Sequence, residues 1–228
     1  IEPLKRVLEL REDALRARLI LARLLVRDAQ FDEADHHIRQ LEQRHPQDAA
    51  VAATRGAYHM ARGKTDQAIT AYQRSYELDP RPGRAMLIAR LQQDQGRGKD
   101  AHATLQKALD AADQPEETAR LHADLAGLAR RSGELATALQ HYEAAIENQP
   151  NSVAYRNDYA WTLWRAGDAS KAKMHAEKAL EAAPDNPAVQ DTLGVILLDL
   201  GDVERAERLL EQAANTSPDR ADFRYHLA

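Results

Sequence analysis

The sequence contains no cysteine among its 228 residues. This absence excludes disulfide bonds and cysteine-ligated metal sites, and it leaves the cellular compartment open. Aromatic residues make up only 5% of the chain, so a core must be built mainly from alanine and leucine. No run of 18 or more apolar residues occurs, and the sequence therefore predicts no membrane-spanning helix.

The chain also lacks a block of lysine and arginine of the kind that binds a phosphate backbone. Its net charge is −5, which argues against nucleic acid as the main partner. Residues 1–80 carry 13 basic and 13 acidic side chains, whereas residues 152–228 carry 9 and 13. The rear of the chain is therefore acidic, while the front has room for local arginine patches.

Six prolines recur at intervals of 34 or 35 residues: Pro46, Pro80, Pro115, Pro150, Pro184 and Pro218. A series of alanines runs in phase with them: Ala34, Ala68, Ala101, Ala138, Ala172 and Ala206. A fixed period of this size is typical of repeat architectures. In most units a glycine precedes the alanine, which predicts one helix ending at the glycine and a second helix ending before the proline.

These residues resemble the tetratricopeptide repeat (TPR) family. The family pattern has a small residue midway along the first helix, and here that residue is Ala22, Gly56, Ala126, Ala160 or Gly194. The resemblance implies an all-α fold, a right-handed α-solenoid of helix-turn-helix repeats. It also implies that the first helices line a concave face that binds a protein or peptide.

The spacing predicts about six units over residues 13–218, with boundaries near 47, 81, 116, 151 and 185. Residues 1–12 match the second helix of a truncated preceding repeat, and residues 219–228 match the first helix of a truncated or capping repeat. The chain is therefore expected to be a fragment of a longer array. The third unit is irregular: it has Arg90 at the small-residue position, no clean inner glycine and about three added residues near 113–117. These residues predict a lengthened helix end, a kink or a break in the superhelix.

No motif for catalysis, metal binding or cofactor binding emerges. Gly63-Lys64-Thr65 resembles the end of a phosphate-binding loop, but Tyr58 stands where that loop needs its first glycine. The nine histidines show no metal-ligand spacing. The sequence therefore predicts that the chain is not an enzyme and has no catalytic residue, no metal site and no cofactor.

The strongest candidate for a recognition surface lies in the fifth unit. Asn157, Trp161 and Trp164 recur at helical spacing on one stripe of the first helix, and the resemblance places this stripe on the concave face. Arg165 is adjacent, and tryptophan and arginine are typical of binding hot spots. Asp191 and Asp199 of the next unit are predicted to lie beside them. The alternative is that both tryptophans only fill gaps between alanine-rich helices.

Chaperone-binding members of the family clamp a C-terminal carboxylate with lysines and asparagines, a pattern that the matching positions lack. Other cations on the first helices favour an acidic ligand: Arg16, Arg23, Arg27, Arg84 and Arg120. The oligomeric state is left open.

The sequence thus predicts a protein-binding scaffold. Its alanine-, arginine- and glutamine-rich style resembles bacterial TPR proteins of exopolysaccharide export and envelope protein sorting, which implies a periplasmic or cell-envelope location, with the cytoplasm as the alternative. A second hypothesis is a recruiting or regulatory arm of a larger enzyme whose catalytic domain lies outside this fragment.

Overall fold

The computed structural model describes residues 1–11 and 14–227, and every regular element in these ranges is an α-helix. Glu12, Asp13 and Ala228, which the expected segments include, lie outside the described residues. The helices are α1 (Glu2–Leu10), α2 (Leu15–Arg27), α3 (Phe31–Arg44), α4 (Ala49–Ala61), α5 (Thr65–Leu78), α6 (Pro82–Asp94), α7 (Gly98–Asp110), α8 (Pro115–Arg131), α9 (Leu135–Asn148), α10 (Val153–Arg165), α11 (Ala169–Ala182), α12 (Pro187–Asp199), α13 (Val203–Thr216) and α14 (Ala221–Leu227).

The chain divides into two compact units, Ile1–Ala111 and Ala112–Ala228. The first unit contains the helical hairpins α2/α3, α4/α5 and α6/α7, and the second contains α8/α9, α10/α11 and α12/α13. Within each unit, neighbouring hairpins pack against one another. Each unit taken by itself is therefore an all-α solenoid, as the sequence predicts.

The inner turns fall at the glycines that the sequence indicates. Gly63, Gly133, Gly167 and Gly201 have φ between 69° and 90°, in the left-handed region. After α10, the amide of Gly167 donates to the carbonyl of Trp164, and the amide of Asp168 donates to that of Leu163. This pair of bonds is a Schellman motif, which ends the helix and turns the chain into the next one.

The third hairpin corrects two expectations. Gly96 has a φ of 72°, so this hairpin does have an inner glycine, and Gly98 instead begins α7. Pro115 does not follow the end of a second helix as the other five prolines do. It occupies the first turn of α8, where the missing N–H of proline costs no hydrogen bond. With 17 residues, α8 is longer than the 13-residue α10, which agrees with the predicted lengthened helix.

Small residues allow the paired helices to approach closely. Ala138, Ala172 and Ala206 on the second helices have no exposed surface, as predicted. At the crossing of α12 and α13, a Cβ added at Gly194 would lie only 2.7 Å from Cγ of Leu210. The alanine and glycine series therefore marks the contact between the two helices of a hairpin.

Candidate functional site

The first helices α10, α12 and α14 of the second unit enclose a surface cavity of about 480 Å³. Its lining residues are Trp164, Val195, Leu198, Asp199, Tyr225 and His226. We call it the α10–α12–α14 cavity. Two of the predicted residues, Trp164 and Asp199, thus meet residues from two further helices at one surface site.

The two tryptophans contact each other but have different surroundings. The ring centroids of Trp161 and Trp164 are 4.8 Å apart with an interplanar angle of 47°, and the ring of Trp161 lies 6.1 Å from that of His226. Both side chains are half-buried. Among the described residues, Trp164 packs against the core cluster around Ala160 and Leu193, whereas Trp161 is not part of that packing.

An ion pair fixes α14 against α12. Nδ1 of His226 lies 2.8 Å from Oδ1 of Asp191. Asp191 is buried, with 6% of its surface exposed. Burial raises the pKa of the Asp191 carboxyl, and the charge and hydrogen bond of His226 oppose that shift. Phe223, which is 2% exposed, holds the start of the same helix in an apolar contact with α13 and Ala188.

Polar groups flank the tryptophans on α10. Oδ1 of Asn157 is buried and has no hydrogen-bond partner among the described residues. Such an atom carries a desolvation cost that a ligand donor relieves. Desolvation also raises the pKa of the neighbouring Asp158, and the charge of Arg130 opposes this.

Two predicted residues of opposite charge occupy equivalent places. Arg165 is the last residue of α10, and Asp199 is the last residue of α12. Both are exposed, and neither forms an ion pair or a side-chain hydrogen bond with any residue in the described ranges. Arg165 does not line the cavity, whereas Asp199 does.

The predicted arginines do not line this cavity. Arg16, Arg23 and Arg27 on α2 and Arg84 on α6 belong to the first unit, whereas Arg120 on α8 belongs to the second. Three of them are engaged by their own chain: Nε of Arg23 donates to Oγ1 of Thr54 at 3.1 Å, Nε of Arg27 to Asp28 at 3.1 Å, and Nη1 of Arg84 lies 2.9 Å from Oδ2 of Asp79. Arg16 and Arg120 are exposed. A shared acidic-ligand site formed by these arginines stays a prediction.

Sequence reasoning missed four of the six lining residues: Val195, Leu198, Tyr225 and His226. The repeat period would have identified all of them. Each lies 34 residues after a residue of the preceding first helix, as Tyr225 does after Asp191 and Leu198 after Trp164. Applying the period to the whole tryptophan stripe, and not only to its aromatic members, therefore yields the site.

Catalytic and membrane features were also sought. Gly63-Lys64-Thr65 forms the turn from α4 to α5, where Gly63 has a φ of 69°, so it is not a phosphate-binding loop. In the described part of the chain, no three histidine, cysteine or acidic residues are grouped to hold a metal ion. No helix in those ranges has the length and apolar character needed to cross a bilayer.

The sequence profile of the tetratricopeptide repeat matches residues 59–125, 129–193 and 163–228. The chain belongs to the tetratricopeptide repeat family. A second profile, for a tetratricopeptide repeat-like domain, matches residues 4–84. Proteins of this family are generally non-catalytic scaffolds that bind proteins or peptides. A search of curated protein sequences found no match.

Solved structures share the fold at low sequence identity. PilW, a widely conserved type IV pilus biogenesis factor, superimposes with a TM-score of 0.71 at 16% identity, over 95% of this chain and 99% of that one. YrrB, a TPR protein with an unusual peptide-binding site, gives 0.60 at 18% identity, over 82% and 96%. A chain of the APC/C hetero-tetramer Cut9-Hcn1 gives 0.66 at 14% identity, with 98% of this chain matched. The match spans only 44% of the Cut9-Hcn1 chain.

Proposed function

We propose that this TPR protein binds a peptide or protein partner on the face formed by α10, α12 and α14, with the α10–α12–α14 cavity at its centre. The observation that carries the proposal is the position of Trp161. It packs on Trp164 and approaches His226, yet it is absent from the described packing of the core cluster. A large indole that the core does not require is typical of a binding anchor.

The surrounding groups suit an extended segment of a partner. The cavity offers apolar contact through Trp164, Val195 and Leu198. The unpartnered Oδ1 of Asn157 is available to accept a hydrogen bond from a backbone or side-chain donor. Apolar anchors beside a few polar groups give affinity and register, respectively, in peptide recognition. YrrB, which shares this fold, is described as a TPR protein with a peptide-binding site.

The experiment uses the two tryptophans as reporters. They are the only tryptophans in the chain, so their two indole Nε1–H signals in an NMR spectrum report this face alone. Peptides are selected from a random dodecamer display library on the immobilised chain, and each is then titrated as a synthetic peptide. We expect selected peptides to shift both indole signals.

A pair of variants tests the location. Trp161→Ala is expected to weaken peptide binding by about 2 kcal/mol, as for a hot-spot residue. The matched control is Met174→Ala, which removes a large apolar side chain that is 46% exposed on the second helix α11 of the same unit. Selected peptides that bind Trp161→Ala as well as they bind the parent chain place the binding surface elsewhere and refute the proposal.

The cellular setting is part of the same proposal. We infer a bacterial envelope system for protein sorting or exopolysaccharide export, supported by composition and by the fold shared with the pilus biogenesis factor PilW. Fractionation of the source cells tests this location, and recovery in the cytoplasm alone contradicts it. The alternative, a recruiting arm of a larger enzyme, is tested by reading the full-length frame for a catalytic domain.

A further inference from the structure

We propose that the α10–α12–α14 cavity receives a positively charged side chain, lysine or arginine, of the bound partner. This inference rests on the proposed function and specifies the chemistry of the partner. It follows from two features of the cavity that point to the same ligand, an aromatic wall and an unpaired negative charge.

The aromatic wall comes from three helices. Trp164 of α10 lines one part of the cavity, and Tyr225 and His226 of α14 line another. The ring of Trp161 extends the wall, since it lies 4.8 Å from Trp164 and 6.1 Å from His226. Tyr225 is 80% exposed, so its ring is accessible to a partner. Aromatic faces attract cations through their negative quadrupole, and tryptophan does so most strongly.

The negative charge comes from Asp199 at the end of α12. This carboxylate lines the cavity and has no ion pair or side-chain hydrogen bond within the described ranges. The carboxyl end of a helix carries partial negative charge, which favours cations. The last turn of α12 nevertheless contains no basic residue. The end of this helix thus has two sources of negative potential and no compensating cation on its own last turn.

The other charges of the cavity fit a cation better than an anion. No lysine or arginine is among its lining residues. Asp191 lies behind His226, 2.8 Å from its Nδ1, so it compensates any positive charge on that ring. Residues 152–228 carry 9 basic and 13 acidic side chains, and this excess of acid steers cationic segments toward the face at low salt. A carboxylate ligand would meet Asp199 with no cation in the lining to oppose the repulsion.

The test starts from peptides that the display selection recovers and that shift the indole signals. We expect these peptides to contain lysine or arginine. Replacing that residue with norleucine, which keeps the aliphatic stem and removes the charge, is expected to raise Kd about tenfold, the combined effect of one cation–π contact and one ion pair. Raising the salt concentration should weaken the parent peptide more than the norleucine peptide.

Asp199→Asn identifies the contributing residue. We expect it to weaken the cationic peptide about threefold to fivefold and to leave the norleucine peptide unchanged. The matched control is Asp185→Asn, an exposed aspartate in the turn that precedes α12, which should alter neither. Both substitutions lie on the surface, so folding is not at risk.

The outcomes separate the two proposals. If no selected peptide shifts the indole signals, the proposed function itself fails. If peptides shift both signals but contain no basic residue, or tolerate norleucine without loss, the binding face is supported and the cationic side chain is refuted. An unchanged affinity of the cationic peptide for Asp199→Asn likewise overturns the role of this carboxylate.

Discussion

Gly194→Ala is the substitution whose effect the structure defines most sharply. Gly194 lies in the middle of α12, where α13 crosses it. A Cβ at this position would lie 2.7 Å from Cγ and 2.8 Å from Cδ2 of Leu210, and 3.4 Å from the carbonyl oxygen of Ala206. Leu210 is only 2% exposed, so its side chain has no open space into which it can turn. The added methyl group must therefore separate the two helices or strain Leu210.

Two opposing effects set the magnitude. Replacing glycine by alanine inside a helix stabilises it by about 1 kcal/mol. Overpacking a tight core contact costs about 1–3 kcal/mol, and the buried position of Leu210 places this case toward the upper end. We therefore expect Gly194→Ala to lower the free energy of unfolding by about 1–2 kcal/mol.

Gly127→Ala is the matched control. Gly127 also lies inside a first helix of the second unit, α8, and the nearest atoms to its added Cβ are Nη1 of Arg131 at 3.9 Å and the hydroxyl of Tyr142 at 4.0 Å. These are ordinary contact distances, so only the gain in helix propensity remains. This variant is expected to be more stable by about 1 kcal/mol.

Urea unfolding followed by tryptophan fluorescence measures both variants, since both tryptophans belong to the second unit. A double mutant adds Leu210→Ala, which removes the clashing atoms, and its loss should be smaller than the sum of the two single losses. Equal shifts for Gly194→Ala and Gly127→Ala would refute the view that the small-residue position is a steric contact between paired helices.

Three further predictions concern packing and ionisation. Ala172→Leu should lower stability by about 1–3 kcal/mol, because Ala172 has no exposed surface, and an unchanged urea midpoint would contradict this. Burial raises the pKa of Tyr142 to about 12, so the stability that its neutral hydroxyl allows is full below about pH 10, the unfolded pKa, and is lost as the pH rises toward 12. Tyr142→Phe should therefore lose less stability than the parent chain between pH 10 and 12, measured by unfolding at each pH, and equal losses would contradict the shift. Trp164→Ala should destabilise the second unit more than Trp161→Ala, because only Trp164 is described as packing on the core cluster; equal melting temperatures would contradict this difference.

The repeat fold could be predicted because each element of its pattern has one physical cause. Gly167 reads as a helix end because the left-handed turn requires it, and Ala172 reads as a helix contact because only a small side chain fits there. Pro115 misled the prediction because the same residue type suits the first turn of a helix as well as the position after its end. Proline marks a helix boundary without saying which helix it belongs to.

The candidate site could be predicted only in part. The stripe that contains Trp161 and Trp164 stands out because repeat packing does not call for two indoles there. Tyr225 and His226 carried no such signal by themselves, because a single tyrosine or histidine near the end of a sequence has many structural roles. Their relevance depends on α14 packing on α12, which the ion pair of His226 with Asp191 fixes and which spacing alone does not specify.

The two interpretations of the tryptophans, core filler and binding anchor, are not alternatives for the pair as a whole. Helical spacing puts Trp161 and Trp164 on one stripe, and any argument from sequence must treat them alike. Three residues separate them by about 300° around the helix, so their rings point in different directions. Trp164 leans toward the core cluster while also lining the cavity, and Trp161 rests on it with its other neighbour, His226, on α14. One indole thereby anchors the site to the fold, and the other extends it toward a partner.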